Sequence, residues 1–227
     1  MKDLRFLFEK FILRQHRLRI DRRLEANVRK ELRKVRGLVF LDIGANVGMY
    51  SLLLRRNFKE IIAVEANRSI YETLCKKVSR RRNIRPLWSA ISDTDGEVSL
   101  YQTDLCDTIL AKFEYRPPHT PSEEAVQEGR NPVTVPSLTI DSLLKKFSIA
   151  SVDAMKMDIE GAEFLALKGA SKSLSNGKIS KIIVELHDRG RKAEMEDLLT
   201  GFDFSFKWID ADHVFASKNP TLASRFE

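Results

Sequence analysis

The stretch LVFLDIGANVGMYSLLLRR, residues 38–56, limits the fold more than any other. It opens on an unbroken apolar run, reaches an acid at Asp42, meets Gly44 and Gly48, and continues with apolar residues at helical spacing. A short apolar strand that runs through a glycine turn into a helix is the first half of a βαβ unit. The pattern recurs. EIIAVEA (60–66) reads as a strand, SIYETLCKKVSRR (69–81) as a helix and IRPLWSAI (84–91) as a third strand. Further on, a helix starts near Thr139 or Ile140, and VDAMKMDI (152–159) is a strand. AEFLALKGASKSLS (162–175) is helical, ISKIIVELH (179–187) a strand, and RKAEMEDLLTGF a helix ending at Gly201. DFSFKWIDADHVFASK (203–218) reads as two antiparallel strands with a turn near Asp210 to Asp212. The expectation is an α/β, Rossmann-like fold: a mostly parallel seven-stranded sheet closed by a C-terminal antiparallel hairpin.

Two segments depart from this alternation. EVSLYQT (97–103) alternates like an exposed strand, and residues 104–136 form an inserted connection rich in Pro, acids and polar residues. Connections of that length inside a compact domain are usually functional lids or disordered. At the other end, residues 1–36 hold 13 Lys/Arg and 5 Asp/Glu, a net of +8, whereas the rest holds 26 and 27. The chain's excess positive charge therefore sits in a basic, helical N-terminal extension over 1–36, ahead of a domain over 37–227. Such an extension suits an RNA, an anionic surface or an acidic partner. Leu4, Leu7, Phe8, Phe11 and Ile12 recur at helical spacing, which equally suits an amphipathic helix packed on the domain. Lys10 and Arg14 break the apolar stretch that a secretion signal would need, and no apolar run has the length of a transmembrane segment. Cys75 and Cys106 form no metal pattern, so a reduced, cytoplasmic protein is expected.

The glycine loop raises the question of its ligand. A dinucleotide fingerprint reads G-x-G-x-x-G, whereas here Gly44, Asn46 and Gly48 give G-x-N-x-G. Asn tolerates the left-handed backbone, so Asn46 can stand where a glycine would. No lysine follows the loop, which argues against a nucleoside triphosphate. Asp42 places a carboxylate where a pyrophosphate would sit. A ligand with a cationic centre and an amino group fits better, and S-adenosyl-L-methionine has both. Glu65, with Ala66 after it, ends the second strand, where an acid can accept both ribose hydroxyls. Dinucleotide enzymes use an acid in the same way, and helix capping is a plainer use. Ser89 and Ala90 end the third strand, beside the expected adenine.

FLDIGANVGMYSLLL, AVEAN, SAISDTDGEVSL, SLTIDSLL, VDAMKMDIEGAEFLALKGA and KIIVELH follow one another across residues 38–187. In this the chain resembles the FkbM-type family of S-adenosylmethionine-dependent methyltransferases. The resemblance implies a class I methyltransferase fold and methyl transfer to oxygen on small molecules or sugars.

Asp158 and Glu160 follow the fourth strand, while Glu185 and His187 end the fifth. Residues i and i+2 share a strand face, and ligands of such sheets bind beyond the carboxyl ends of the strands. The four side chains are therefore expected together beside the cofactor, with Asp158 touching it and Lys156 pairing with one of the acids. Three uses compete. His187 can act as general base, oriented by an acid. The cluster can hold a divalent metal such as Mg²⁺ or Mn²⁺. Or it can be a hydrogen-bonded network supporting the loops. The reading without a metal is preferred. No D/N-P-P-Y/F tetrapeptide follows the fourth strand, where MDIEG stands instead, and this favours an oxygen over an exocyclic nitrogen acceptor. A small-molecule or sugar hydroxyl is the expected acceptor. RNA is the alternative through residues 1–36, although that segment's phenylalanines lie in the apolar pattern rather than among its arginines. A non-catalytic Rossmann-like binding module and a nicotinamide oxidoreductase are the rival classes. The set Asp42, Gly44, Gly48 and Glu65 argues against the first, and the glycine spacing against the second.

Overall fold

The structure is a computed structural model that describes residues 26–103, 112–115 and 132–219. The chain divides after Lys34 into two units. Helix α1 (Ala26–Lys34) ends the first, and the part of the helical extension expected over 1–36 that precedes Ala26 lies outside the described residues. Among the described residues, no helix is long and apolar enough to cross a membrane.

The second unit is built on a seven-stranded sheet. Its strands are β1 (Gly37–Ile43), β2 (Phe58–Glu65), β3 (Ile84–Trp88), β8 (Ala154–Met157), β9 (Lys181–Glu185), β10 (Phe204–Trp208) and β11 (His213–Lys218). Their order is β10-β11-β9-β8-β1-β2-β3. The pairings among β3, β2, β1, β8 and β9 are parallel, while β11 runs antiparallel to both β9 and β10. This is the expected sheet with its closing hairpin. The last four residues of β1 and all four of β8 are buried, as central strands covered on both faces must be. Register sorts their side chains. Leu41 and Ile43 lie beside Ile62, Val64, Met155 and Met157 on one face. Phe40 and Asp42 fall on the other face, where Asp42 lies beside Lys156, and the Phe40 ring packs against Phe58 with ring centroids 5.2 Å apart. Each large apolar side chain so buried contributes roughly 1.5–3 kcal/mol, which fixes the register against slippage.

The helices follow from local chemistry. α2 (Met49–Leu54) starts behind Gly48. α3 (Arg68–Val78) is capped by Asn67, whose side-chain oxygen accepts from the Ser69 and Ile70 amides, and α4 (Ile140–Lys146) is capped by Thr139. The helix expected over 162–175 is two, α5 (Glu163–Lys168) and α6 (Ser171–Ser175). The break falls at Gly169. A Cβ there would lie 2.2 Å from the Ser92 carbonyl oxygen, so the backbones meet where no side chain fits. A 3-10 turn (Arg189–Arg191) leads into α7 (Lys192–Gly201).

Two expectations need correction. The strand expected over 84–91 splits at Ser89, and its end, β4 (Ala90–Ile91), joins another sheet. That sheet has the order β4-β7-β5-β6, with β5 (Gly96–Thr103), β6 (Lys112–Tyr115) and β7 (Pro132–Leu138). The connection expected over 104–136 therefore carries strand structure. Its parts 104–111 and 116–131 lie outside the described residues. Ala90, Val98, Leu100 and Val135 form the small core beneath this sheet.

Candidate active site

The ends of β1, β2, β8 and β9 meet at the carboxyl edge of the large sheet. The turn after β1 is held by close backbone packing. Gly44 has φ +73°, and a Cβ on it would fall 1.8 Å from the Asp158 carbonyl oxygen. Glycine is required there by both conformation and contact, and this contact sets the glycine turn against the loop after β8. Asn46 adopts the left-handed conformation (φ 50°), as its replacement of a glycine anticipated.

Every backbone N–H of the turn is already used. The Gly44 and Ala45 amides donate to the Val64 carbonyl, Asn46 to Glu65 Oε2, Val47 to Asn46 Oδ1, and Gly48 to the Ala45 carbonyl. An anion-binding loop works by presenting free N–H groups. This one presents none between Gly44 and Gly48. Glu65 is buried, and its Oε1 accepts from the Asn67 amide at 2.8 Å. Burial raises its pKa, against the pull of these backbone donors and Lys156. Each oxygen keeps a second lone pair. Ser89 donates its hydroxyl to the Ala90 carbonyl and its amide to the Glu65 carbonyl, so the β3–β4 break adjoins Glu65. The Ala66 carbonyl accepts from Trp88 Nε1, and Arg68 lies over the Trp88 ring at 4.6 Å.

Asp42 is fully buried. Its Oδ2 accepts from the Ser51 amide and hydroxyl, while Oδ1 is buried without a hydrogen-bond partner. Burial raises its pKa, opposed by Lys156. Lys156, also buried, donates to Asp158 Oδ2 at 2.8 Å and stands 5.2 Å from the Tyr50 ring centre. Desolvation alone would depress its pKa, but Asp158 and Asp42 outweigh this and hold the ammonium charged.

The four expected residues of the acid cluster come together around the ring of His187. Its Nε2 is 3.1 Å from Glu160 Oε2, 3.7 Å from Asp158 Oδ1 and 4.0 Å from Glu185 Oε1. Its Nδ1 is 3.0 Å from Glu163 Oε1. Burial disfavours the charged ring, but the hydrogen bonds to Glu160 and Glu163 prevail and raise its pKa to about 10. With a carboxylate at each nitrogen, the ring has no free lone pair in this state. A general base titrating near 6.5 does not fit that geometry.

Two participants escaped the sequence reading. Glu163, 1% exposed, opens α5 and also accepts from the Gly161 amide. An acid in the first turn of a helix is ordinary, so nothing in its position marked it. His213 begins β11 and pairs in register with Glu185. Its Nε2 is 3.2 Å from Glu185 Oε2, and its Nδ1 is 2.8 Å from Asp210 Oδ1. The hairpin register that delivers it could be read only after the sheet was known.

Residues 42–206 match the methyltransferase FkbM domain. The chain belongs to the FkbM methyltransferase family. A relative of this FkbM-domain chain is hexuronic acid methyltransferase AglP of Haloferax volcanii, 23% identical over 150 residues. The match covers 66% of this chain and 56% of AglP, so the chain spans little more than half of that relative. Among solved structures, methyltransferase FkbM from Methylobacillus flagellatus KT superposes with a TM-score of 0.52 at 18% identity, over 80% of this chain and 43% of that one. An rRNA methylase from Streptococcus thermophilus gives 0.51 at 11%, over 85% and 95%. At such identities these structures speak to the fold.

Proposed function

We propose that this chain is an S-adenosylmethionine-dependent O-methyltransferase acting on a sugar hydroxyl. The observation that carries the reading is the meeting, at one sheet edge, of a glycine turn with no free N–H, a strand-end glutamate and an acid–imidazole cluster. The residues present fit the cofactor. A turn without free donors gives a pyrophosphate nothing to bind. It suits a ligand without phosphate. Glu65 retains acceptor capacity for two ribose hydroxyls, Asp42 keeps an unpartnered buried oxygen, and Ser89 and Ala90 adjoin Glu65 at the strand break. In this reading Asp42, Gly44, Asn46, Gly48, Glu65, Ala66, Ser89, Ala90 and Asp158 surround the cofactor.

When bound, the cofactor supplies a methyl carbon activated by a sulfonium, which departs with the C–S electron pair as a neutral thioether. The chain has to align the acceptor oxygen, exclude water and receive one proton. His187 and Asp158 flank the acceptor. Glu160, on the positive-φ turn after β8, receives the hydroxyl proton, and Glu185 supports the ring. Support for a sugar comes from the activity named for AglP, and support for an oxygen acceptor from MDIEG standing where nitrogen-methylating enzymes carry D/N-P-P-Y/F.

The test is methyl-labelled cofactor with uronic-acid oligosaccharides and, separately, RNA. The expected product is labelled saccharide whose label survives mild base, as an ether does and a methyl ester does not. Label confined to RNA, or base-labile label, would contradict the reading.

A further inference from the structure

We propose that Asp158, Glu185 and His187 hold a divalent cation of the Mn²⁺ class at the carboxyl edge of the sheet. One donor atom from each lies within 4.8 Å of the other two. Ligands about 2.0–2.2 Å from a shared ion stand at most about 4.4 Å apart, and His187 Nε2 lies inside that limit from both carboxylates, at 3.7 Å from Asp158 Oδ1 and 4.0 Å from Glu185 Oε1. The donors sit on the ends of paired strands: Met157 is in register with Val184, next to Asp158 and Glu185.

What separates this cluster from an ordinary acidic patch is the ring of buried groups behind it. Each donor is anchored on its outer atom, leaving the inner atom turned to the centre. Asp158 Oδ2 is held by Lys156, Glu185 Oε2 by His213, and His187 Nδ1 by Glu163. The three anchors are 4%, 6% and 1% exposed. A carboxylate behind the far nitrogen of a ligating histidine fixes its tautomer and aims its other nitrogen. Asp210 in turn holds His213. Nε2, on the other side of the ring, faces Glu160, Asp158 and Glu185. Two carboxylates and one imidazole, without thiolate, match Mn²⁺ better than Mg²⁺, which prefers an all-oxygen set. Glu160 is then left to accept the acceptor's proton.

Binding of the ion stands on this donor set alone, and its use in lowering the acceptor's pKa rests on the function proposed above. The test is titration of the EDTA-stripped full chain with Mn²⁺, followed by the loss of the free-ion electron paramagnetic resonance signal. One ion per chain is expected, with histidine nitrogen coupling in the pulsed spectrum. Glu163→Gln, which removes no ligand, should weaken binding about 10- to 100-fold. Glu185→Gln should weaken it at least as much. S-adenosylhomocysteine affinity is measured on the same samples. No Mn²⁺ binding up to millimolar concentration, or bound Mn²⁺ without nitrogen coupling, overturns the site. If S-adenosylhomocysteine still binds, the methyltransferase reading survives that failure. Mn²⁺ binding without any affinity for S-adenosylhomocysteine supports the site and sinks the cofactor reading instead.

Discussion

His187 is a ring between two carboxylates, and its charge follows from them. Glu163 at Nδ1 and Glu160 at Nε2 favour the imidazolium, against the cost of burial, and hold its pKa at about 10. A histidine whose folded pKa exceeds its unfolded value of about 6.5 contributes stability that is full below that value and is lost as pH rises through about 10. In EDTA, ring nitrogen resonances should therefore report a doubly protonated His187 through pH 8, titrating near 10. The melting-temperature advantage of the native chain over His187→Gln should shrink over the same window. A ring that titrates near 6.5 would mean that the carboxylates do not embrace it. On the buried strand face Lys156 follows the same rule, held charged by Asp158 and Asp42, whereas burial raises the pKa of Asp42 in spite of Lys156.

At the scale of elements, the site depends on the loop after β1 touching the loop after β8. Gly44 is the hinge of that contact. Gly44→Ala adds a Cβ 1.8 Å from the Asp158 carbonyl at a φ of +73°. Strain and overpacking of this kind should cost about 3 kcal/mol or more, read as a lower midpoint in urea unfolding. An unchanged midpoint would show that the two loops are not in contact. The same elements show how far the sequence could be read. The β1 turn and the parallel strands were legible because apolar runs, acids and glycines mark a strand end locally. Asp158, Glu160, Glu185 and His187 could be grouped because strand-end positions share an edge. Glu163 and His213 could not, since a helix-start acid and a hairpin register carry no local mark. The second sheet was hidden for a related reason: β4 is two residues long and pairs with β7, which is distant in sequence.

At the scale of the whole chain, charge and fold divide. The excess positive charge lies in residues 1–36, while the remaining residues are nearly neutral and hold the sheet, the glycine turn and the acid cluster. The cofactor reading therefore depends on the second unit, and the basic segment bears on the alternative of an anionic partner. The central claim is that the β1 turn and Glu65 accept an S-adenosyl ligand and not a dinucleotide, because the turn offers no free N–H to a pyrophosphate. Calorimetric titration of the full chain with S-adenosylhomocysteine and, separately, with NAD tests this directly. S-adenosylhomocysteine should bind at one site and lose about 1.5–3 kcal/mol of binding energy in Glu65→Gln, with no heat from NAD. Binding of NAD with no response to S-adenosylhomocysteine would contradict the account.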